Sequence, residues 1–321
     1  MSGGRNIQRN PKIDMRTIQK NSLEIFKTNI YIPTDIGLVS NNAYLSVVAT
    51  NKCNRNCPYC INGDTDHTLS IPVRKMTKNV SELVDRYGVK EAIILGGEPT
   101  LHPDICNIIH GLKYAGIQIV RLTTNGIALT DQLLKDMVNY GLYGLNLSFH
   151  NEDFISYERL SQIYMLCKEL GIKLRINTNI WRGNHDSLDS FLNFYGTIVD
   201  KCDEVRVSNI IPKDTFSVNP KNDEKAAQMI LPDEEYHKFF QDLCDYYSKD
   251  MTLIENKDTL GFVRYILIPT KCPIIVNWNI GSKVAEQVCE NDIANRKINT
   301  FKCLVSGNIS LSWNEGNTFI K

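Results

Sequence analysis

Tyr44–Cys60 reads YLSVVATNKCNRNCPYC, a short apolar run that delivers the chain into three cysteines spaced C-x3-C-x2-C. The run Tyr44–Thr50 is apolar on nearly every residue, which is the pattern of a parallel strand buried on both faces. Cys53, Cys57 and Cys60 follow on the loop that leaves it, close enough in sequence to converge on one centre. Thiolates are soft ligands that suit iron–sulfur clusters and zinc. A structural zinc site wants a fourth protein ligand, and His67, the nearest candidate, fits no standard spacing. Three ligands on a four-iron cluster would leave one iron open for another molecule. A redox pair at Cys57 and Cys60, or three unrelated thiols, are the remaining readings.

Working outward, five more runs repeat the strand pattern: Glu91–Gly96, Ile117–Thr123, Gly144–Phe149, Lys173–Ile180 and Glu204–Ile211. Helical patterns separate them. Val80–Tyr87 follows Asn79, with Ser81 as an equal candidate for the cap. Asp104–Ala115 ends at Gly116, Asp131–Tyr140 follows Thr130, Phe154–Leu170 ends at Gly171, and Leu188–Val199 follows Ser187. Strand–helix alternation repeated in this way implies right-handed βαβ units and a parallel sheet. Six units are too few for a closed eight-fold barrel. The pattern alone leaves a doubly wound open sheet and an incomplete barrel both standing.

After Pro212 the rhythm changes. Lys213–Gln228 is polar, contains Pro220 and reads as a loop, and Pro232–Tyr247 reads as a helix. Strand-like runs follow at Phe262–Ile268, Ile274–Trp278 and Phe301–Trp313, the last with a hairpin turn at Gly307 and Asn308.

The cysteine segment resembles the signature of the radical S-adenosylmethionine (radical SAM) superfamily, C-x3-C-x-aromatic-C after the first strand, with Tyr59 at the aromatic position. Further segments are similar to that family in the same order. Gly96-Gly97-Glu98-Pro99-Thr100 ends the second strand, Thr123-Thr124-Asn125-Gly126 ends the third, and Ser148 ends the fourth. All of them fall at the C-terminal ends of parallel strands, where barrel and open-sheet enzymes place their chemistry. The look is closest to the subgroup containing the molybdenum-cofactor enzyme that acts on GTP. The resemblance spans about residues 44–211.

The resemblance implies an α/β fold: a partial (β/α)6 TIM-type barrel with a C-terminal α+β extension. The division expected is 1–43 as an N-terminal extension, 44–213 as the barrel and 214–321 as an extension closing its open side. It also implies a [4Fe-4S] cluster on Cys53, Cys57 and Cys60, with S-adenosylmethionine on the open iron and cleaved reductively to a 5′-deoxyadenosyl radical. That radical would take hydrogen from a small molecule, nucleotide- or sugar-like, or from a peptide. Tyr59, Gly96, Gly97, Glu98, Ser148 and Asn177 are the expected cofactor contacts, and Thr124, Arg175 and Asn179 the expected substrate contacts. The glycines would let backbone approach the ligand closely. Arg175, Asn177 and Asn179 share one strand face by period two. His150 is a candidate proton donor, and the general acid or base is otherwise not assigned. A reductant such as flavodoxin or ferredoxin is implied as partner. The alternatives are a peptide-modifying maturase and a non-catalytic zinc or iron–sulfur protein.

Composition bounds the rest. Apolar residues make up 42% and charged residues 22%, which excludes a mostly disordered chain. Lys plus Arg equals Asp plus Glu at 36 each, which argues against an electrostatic nucleic-acid binder. The stretch Arg5–Lys20 is modestly basic and reads as a solvated tail or a helix ahead of the barrel. The sequence offers no apolar run of membrane-spanning length and no signal peptide, so a cytoplasmic location is expected. Of the ten cysteines, Cys272, Cys289 and Cys303 lie in the C-terminal extension. They lack a C-x2-C pair, so a second cluster there is not favoured over buried thiols. Cys106, Cys167, Cys202 and Cys244 read as packing thiols.

Overall fold

The computed structural model describes residues 29–60, 66–152, 154–210, 223–247, 256–258, 262–267, 272–279, 296–313 and 315–321. The strands are β1 (Tyr31–Thr34), β2 (Gly37–Val48), β3 (Glu91–Leu95), β4 (Ile119–Thr124), β5 (Gly144–Ser148), β6 (Lys173–Ile180) and β7 (Glu204–Asn209). After them come β8 (Asn256–Asp258), β9 (Phe262–Leu267), β10 (Ile274–Asn279), β11 (Lys297–Cys303), β12 (Ile309–Ser310) and β13 (Thr318–Ile320). β2 to β7 pair in chain order and all parallel, which is the six-unit partial barrel.

Alternation along each strand decides the two faces. Leu45, Val47, Ala92, Ile94, Val120, Leu122, Leu145, Leu147, Leu174, Ile176, Val205 and Val207 enter one apolar core. Helices Val73–Tyr87, Ile105–Tyr114, Asp131–Asn139, Tyr157–Glu169 and Leu188–Ile198 contribute Leu83, Ile109, Met137, Ile163 and Phe194 to it. The intervening strand residues face the inside of the barrel.

Thr130, Ser156 and Ser187 cap their helices by accepting from Leu133 N, Arg159 N and Ser190 N. Thr130 and Ser187 are where the sequence places caps. The Val73–Tyr87 helix instead starts seven residues before the expected Val80, with Pro72 at the N-cap. Asn79 therefore lies inside the helix, fully buried, and its Nδ2 donates to Gly307 O at 2.9 Å. A polar residue read as a local cap is in fact a tertiary contact.

Three further differences concern the flanks. β2 begins at Gly37, and β1 pairs antiparallel with it, so part of the expected N-terminal extension belongs to the sheet. Asp223–Met229, which overlaps the end of the expected loop, is helical, as the helix formers Glu224, Lys225, Ala226, Ala227, Gln228 and Met229 favour. The C-terminal strands do not lie over the barrel as a lid. They extend its sheet at both edges: β10 pairs parallel with β7 and carries β9 and β8, while β11 pairs parallel with β2 and carries β12 and β13. The expected turn at Gly307 is present, with φ at 83° and the Gly307 N–H on Leu304 O. The basic stretch Arg5–Lys20 lies outside the described residues. Among the described residues no helix is long and apolar enough to cross a membrane.

Candidate functional site

The C-terminal ends of β2 and β3 are locked together through backbone. Gly97 N donates to Thr50 O and Glu98 N to Lys52 O, both at 2.7 Å, so the end of β3 lies against the start of the cysteine loop. No side chain fits between them. A Cβ at Gly97 would stand 2.2 Å from Lys52 O, and one at Gly96 would stand 2.3 Å from Thr50 O. Gly96 also has φ at 154°, which L side chains rarely adopt. The glycines approach the cysteine loop itself, and the Gly97 N–H is taken by that contact. Gly97→Ala should cost about 1–3 kcal/mol, because the obstructing atoms are backbone and yield only by moving the loop. Urea denaturation of that variant against the parent protein checks this.

Cys53 and Cys57 are half-buried, Cys60 is exposed, and none is in a disulfide. Arg55 N donates to Cys53 Sγ at 3.4 Å and Cys60 N to Cys57 O at 3.1 Å. Burial raises the Cys53 thiol above its ordinary range, and the nearby Glu98 carboxylate adds to the effect. A positive metal centre would reverse that balance, since the ligand form is the thiolate. His67, the nearest candidate for a fourth zinc ligand, instead hydrogen-bonds through Nδ1 to Asn51 O at 2.8 Å. Among the described residues no three His, Cys, Asp or Glu side chains converge on a single ion. A four-iron cluster makes a different demand, one thiolate on each of three irons, and so a wider spread.

Glu98 is buried, at 1% exposure. Its carboxylate accepts four hydrogen bonds, from Thr100 N and Oγ1, Thr124 Oγ1 and Asn125 N. Two expected ligand contacts, Glu98 and Thr124, are thus bonded to each other at 2.6 Å. The bond ties the end of β3 to the end of β4.

The inside of the barrel is polar, and strand register orders its residues in rows. Thr123, Asn146, Arg175 and Glu204 form one row, Ser148, Asn177 and Arg206 the next, and Asn179 and Ser208 the rim. Arg175, an expected substrate contact, is 0% exposed, and its Nε donates to Glu204, also 0% exposed. An inward-facing arginine at this depth needs an acid beside it, and register supplies one. Asn177 differs: its Oδ1 is buried with no hydrogen-bond partner among the described residues. Asn146, which sequence reasoning missed, shares this feature at 2% exposure, while its Nδ2 donates to Thr123 Oγ1 at 3.2 Å. Its signal was present in GLNLS, where period two puts it on the face of Ser148. Asn179 contributes backbone, its N–H donating to His150 Nδ1 at 3.0 Å.

Above these rows, at the ends of β5 and β6, stands an aromatic group. Tyr59 lies 5.2 Å from Trp181 and 5.9 Å from His150, ring centre to ring centre, and His150 lies 5.4 Å from Phe154. The Arg55 guanidinium sits 4.5 Å from the centre of the Phe154 ring. Burial pushes the Tyr59 phenol up, with the neighbouring Cys57 thiol adding to it. Burial takes His150 down to about 3, so the ring is neutral near pH 7. Because Nδ1 accepts from Asn179, the proton resides on Nε2. The imidazole is therefore neutral, with its Nε2 N–H as the group it can donate.

Of the C-terminal cysteines among the described residues, Cys272 and Cys303 lie apart. Cys272 lies beside β7, with its Sγ 3.7 Å from that of Cys202, and Cys303 ends β11 on the opposite edge of the sheet. Both are buried, so packing accounts for them. Cys289 lies outside the described residues.

Three free thiols on a strand-end loop, a glycine contact that fixes that loop, and an Asn177 side-chain oxygen with no partner among the described residues fit a thiolate-held cluster with a polar ligand beside it.

Known proteins agree with this arrangement. Residues 47–195 match the sequence model of the Radical SAM superfamily. The chain is 30% identical over 191 residues to the "Probable GTP 3',8-cyclase" of Sulfurisphaera tokodaii, covering 55% of this chain and 60% of that protein. It is 33% identical over 162 residues to the "GTP 3',8-cyclase" of Chlorobaculum tepidum, covering 46% of this chain and 48% of that protein. It thus spans about half to three-fifths of these curated relatives. Among solved structures, Streptococcus suis SuiB bound to S-adenosylmethionine superposes with a TM-score of 0.59 at 15% identity, covering 88% of this chain and 64% of that one. That likeness concerns the fold.

Proposed function

The chain belongs to the radical SAM superfamily, and on that premise we propose that it is an enzyme that reductively cleaves S-adenosylmethionine and takes hydrogen from a small, nucleotide- or sugar-like molecule. Cys53, Cys57 and Cys60 would hold a [4Fe-4S] cluster that, when bound, supplies the electron for this cleavage. The observation that carries the reading is the cysteine loop held by backbone against Gly96-Gly97-Glu98, at the mouth of a barrel whose inner face is polar. Relatedness to proteins named GTP 3',8-cyclase supports a small-molecule substrate over a peptide.

The chain's own groups divide the work. Backbone at Gly96 and Gly97 sets the loop that presents the thiols. Tyr59, His150 and Trp181 offer flat apolar faces that exclude water and suit a ring. Ser148 and Asn177 stand in one row below them as polar contacts for S-adenosylmethionine. Asn146 and Asn179 extend polar capacity down and up the same wall. A low-potential electron donor of the flavodoxin or ferredoxin kind completes the reaction.

Anaerobic reconstitution with iron and sulfide, then reduction with S-adenosylmethionine, tests this. The expected result is a brown protein that yields 5′-deoxyadenosine. A colourless zinc protein yielding none would contradict it. Asn177→Ala should weaken S-adenosylmethionine binding by up to about tenfold, the value of one hydrogen bond at the upper end. Folding stability should hold, because the Asn177 Oδ1 has no partner among the described residues. Titration of the reconstituted variant, paired with its urea midpoint, separates the two effects.

A further inference from the structure

We infer that Asn54 and Asn125 form a strap that shapes the cysteine loop before any cluster is bound, with Glu98 as its anchor. The inference rests on the proposed reading of Cys53, Cys57 and Cys60 as ligands and names the residues that prepare them. Asn54 is the residue after Cys53, in the longer gap of the motif. Its Oδ1 accepts from Asn125 Nδ2 at 2.8 Å, a bond between residues 71 positions apart.

Asn125 is a firm place to fasten a loop. It is buried, its backbone N–H donates to Glu98 Oε2 at 2.8 Å, and its own Oδ1 accepts from Ile127 N at 3.0 Å. Thr124 Oγ1 adds a second link to Glu98 and also accepts from Gly126 N at 3.0 Å. The side-chain amide of Asn125 therefore has both ends committed, one to its own turn and one to the cysteine loop. Glu98 in turn joins that loop through backbone, its N–H on Lys52 O at 2.7 Å. The cysteine loop is thus held from two strands, by backbone from β3 at Lys52 and by side chain from β4 at Asn54. These anchors flank Cys53.

Such a strap lowers the ordering cost when thiols gather around a metal centre. It makes Asn54, Asn125 and Glu98 positioning residues. Asn54 is the one to vary, because it is exposed and its side chain enters the strap through its acceptor oxygen, whereas Asn125 and Glu98 also hold their own turns.

The experiment measures amide hydrogen exchange of peptides spanning 50–60 in the metal-free chain, for the parent protein, Asn54→Ala and Asn54→Asp. Asn54→Ala should exchange about fivefold faster there, the shift expected for one modest hydrogen bond. Asn54→Asp keeps the acceptor and should stay within about twofold of the parent. All three should share one urea midpoint. Equal exchange in Asn54→Ala and the parent overturns the strap, and so does acceleration in both variants. A second arm reconstitutes each protein with iron and sulfide and times iron loss to a chelator, with Asn54→Ala expected to lose iron about fivefold faster. A parent protein that takes up no iron refutes the ligand reading, while the exchange result still judges the strap.

Discussion

Cys57→Ala should yield a folded chain that no longer holds a four-iron cluster. After anaerobic reconstitution the parent protein is expected to carry about four irons per chain, and the variant less than about one. The reason lies in the count of donors: the loop offers Cys53, Cys57 and Cys60, and among the described residues no His, Asp or Glu joins them. Removing the middle thiol leaves two ligands, too few to support the cluster. The fold should survive. Cys57 is half-buried on a loop, and the hydrogen bond from Cys60 N reaches its backbone carbonyl, which alanine retains. Far-ultraviolet circular dichroism and iron analysis on the same sample check both halves. Cys106→Ala, on a helix remote from the motif in sequence, should keep its iron. Full iron in the Cys57 variant would contradict the assignment of these thiols.

What the sequence displays depends on how far apart the interacting residues lie. Caps at Thr130 and Ser187 are readable because each side chain bonds an amide three residues on. The six parallel strands are readable because alternate residues of each short run are apolar and enter the core, with helical patterns between the runs. The thiol motif and the glycine pair are readable for the same reason: each is contiguous. Asn79 misleads because its partner, Gly307, is 228 residues away. The Asn54–Asn125 bond and the edge pairing of β11 with β2 are equally hidden, since both need the strands to be in place first. Arg175 sits between these cases. Period two correctly puts it on the inner face with Asn177, but its depth, and so its role, depends on which residue of the next strand stands opposite.

That pairing carries the other large expected effect. Arg175→Ala or Glu204→Ala should each destabilise the protein by about 3–5 kcal/mol, as each leaves one charge buried without its counter-ion. Both side chains are fully enclosed, so water cannot solvate the survivor. The attraction itself is only part of the cost, because most of it is the desolvation that the survivor no longer offsets. The double variant Arg175→Met/Glu204→Leu removes both charges and keeps apolar volume in the barrel. It should therefore recover much of the loss, a pattern that a merely sterically important arginine would not give. Urea denaturation of the four proteins measures the cycle. The same set decides what Arg175 does for the substrate. If it only builds the barrel floor, the double variant should still produce 5′-deoxyadenosine with S-adenosylmethionine. Stable single variants that had lost only turnover would point to Arg175 as a substrate contact, and would mean that the acid opposite it does not govern its place in the barrel.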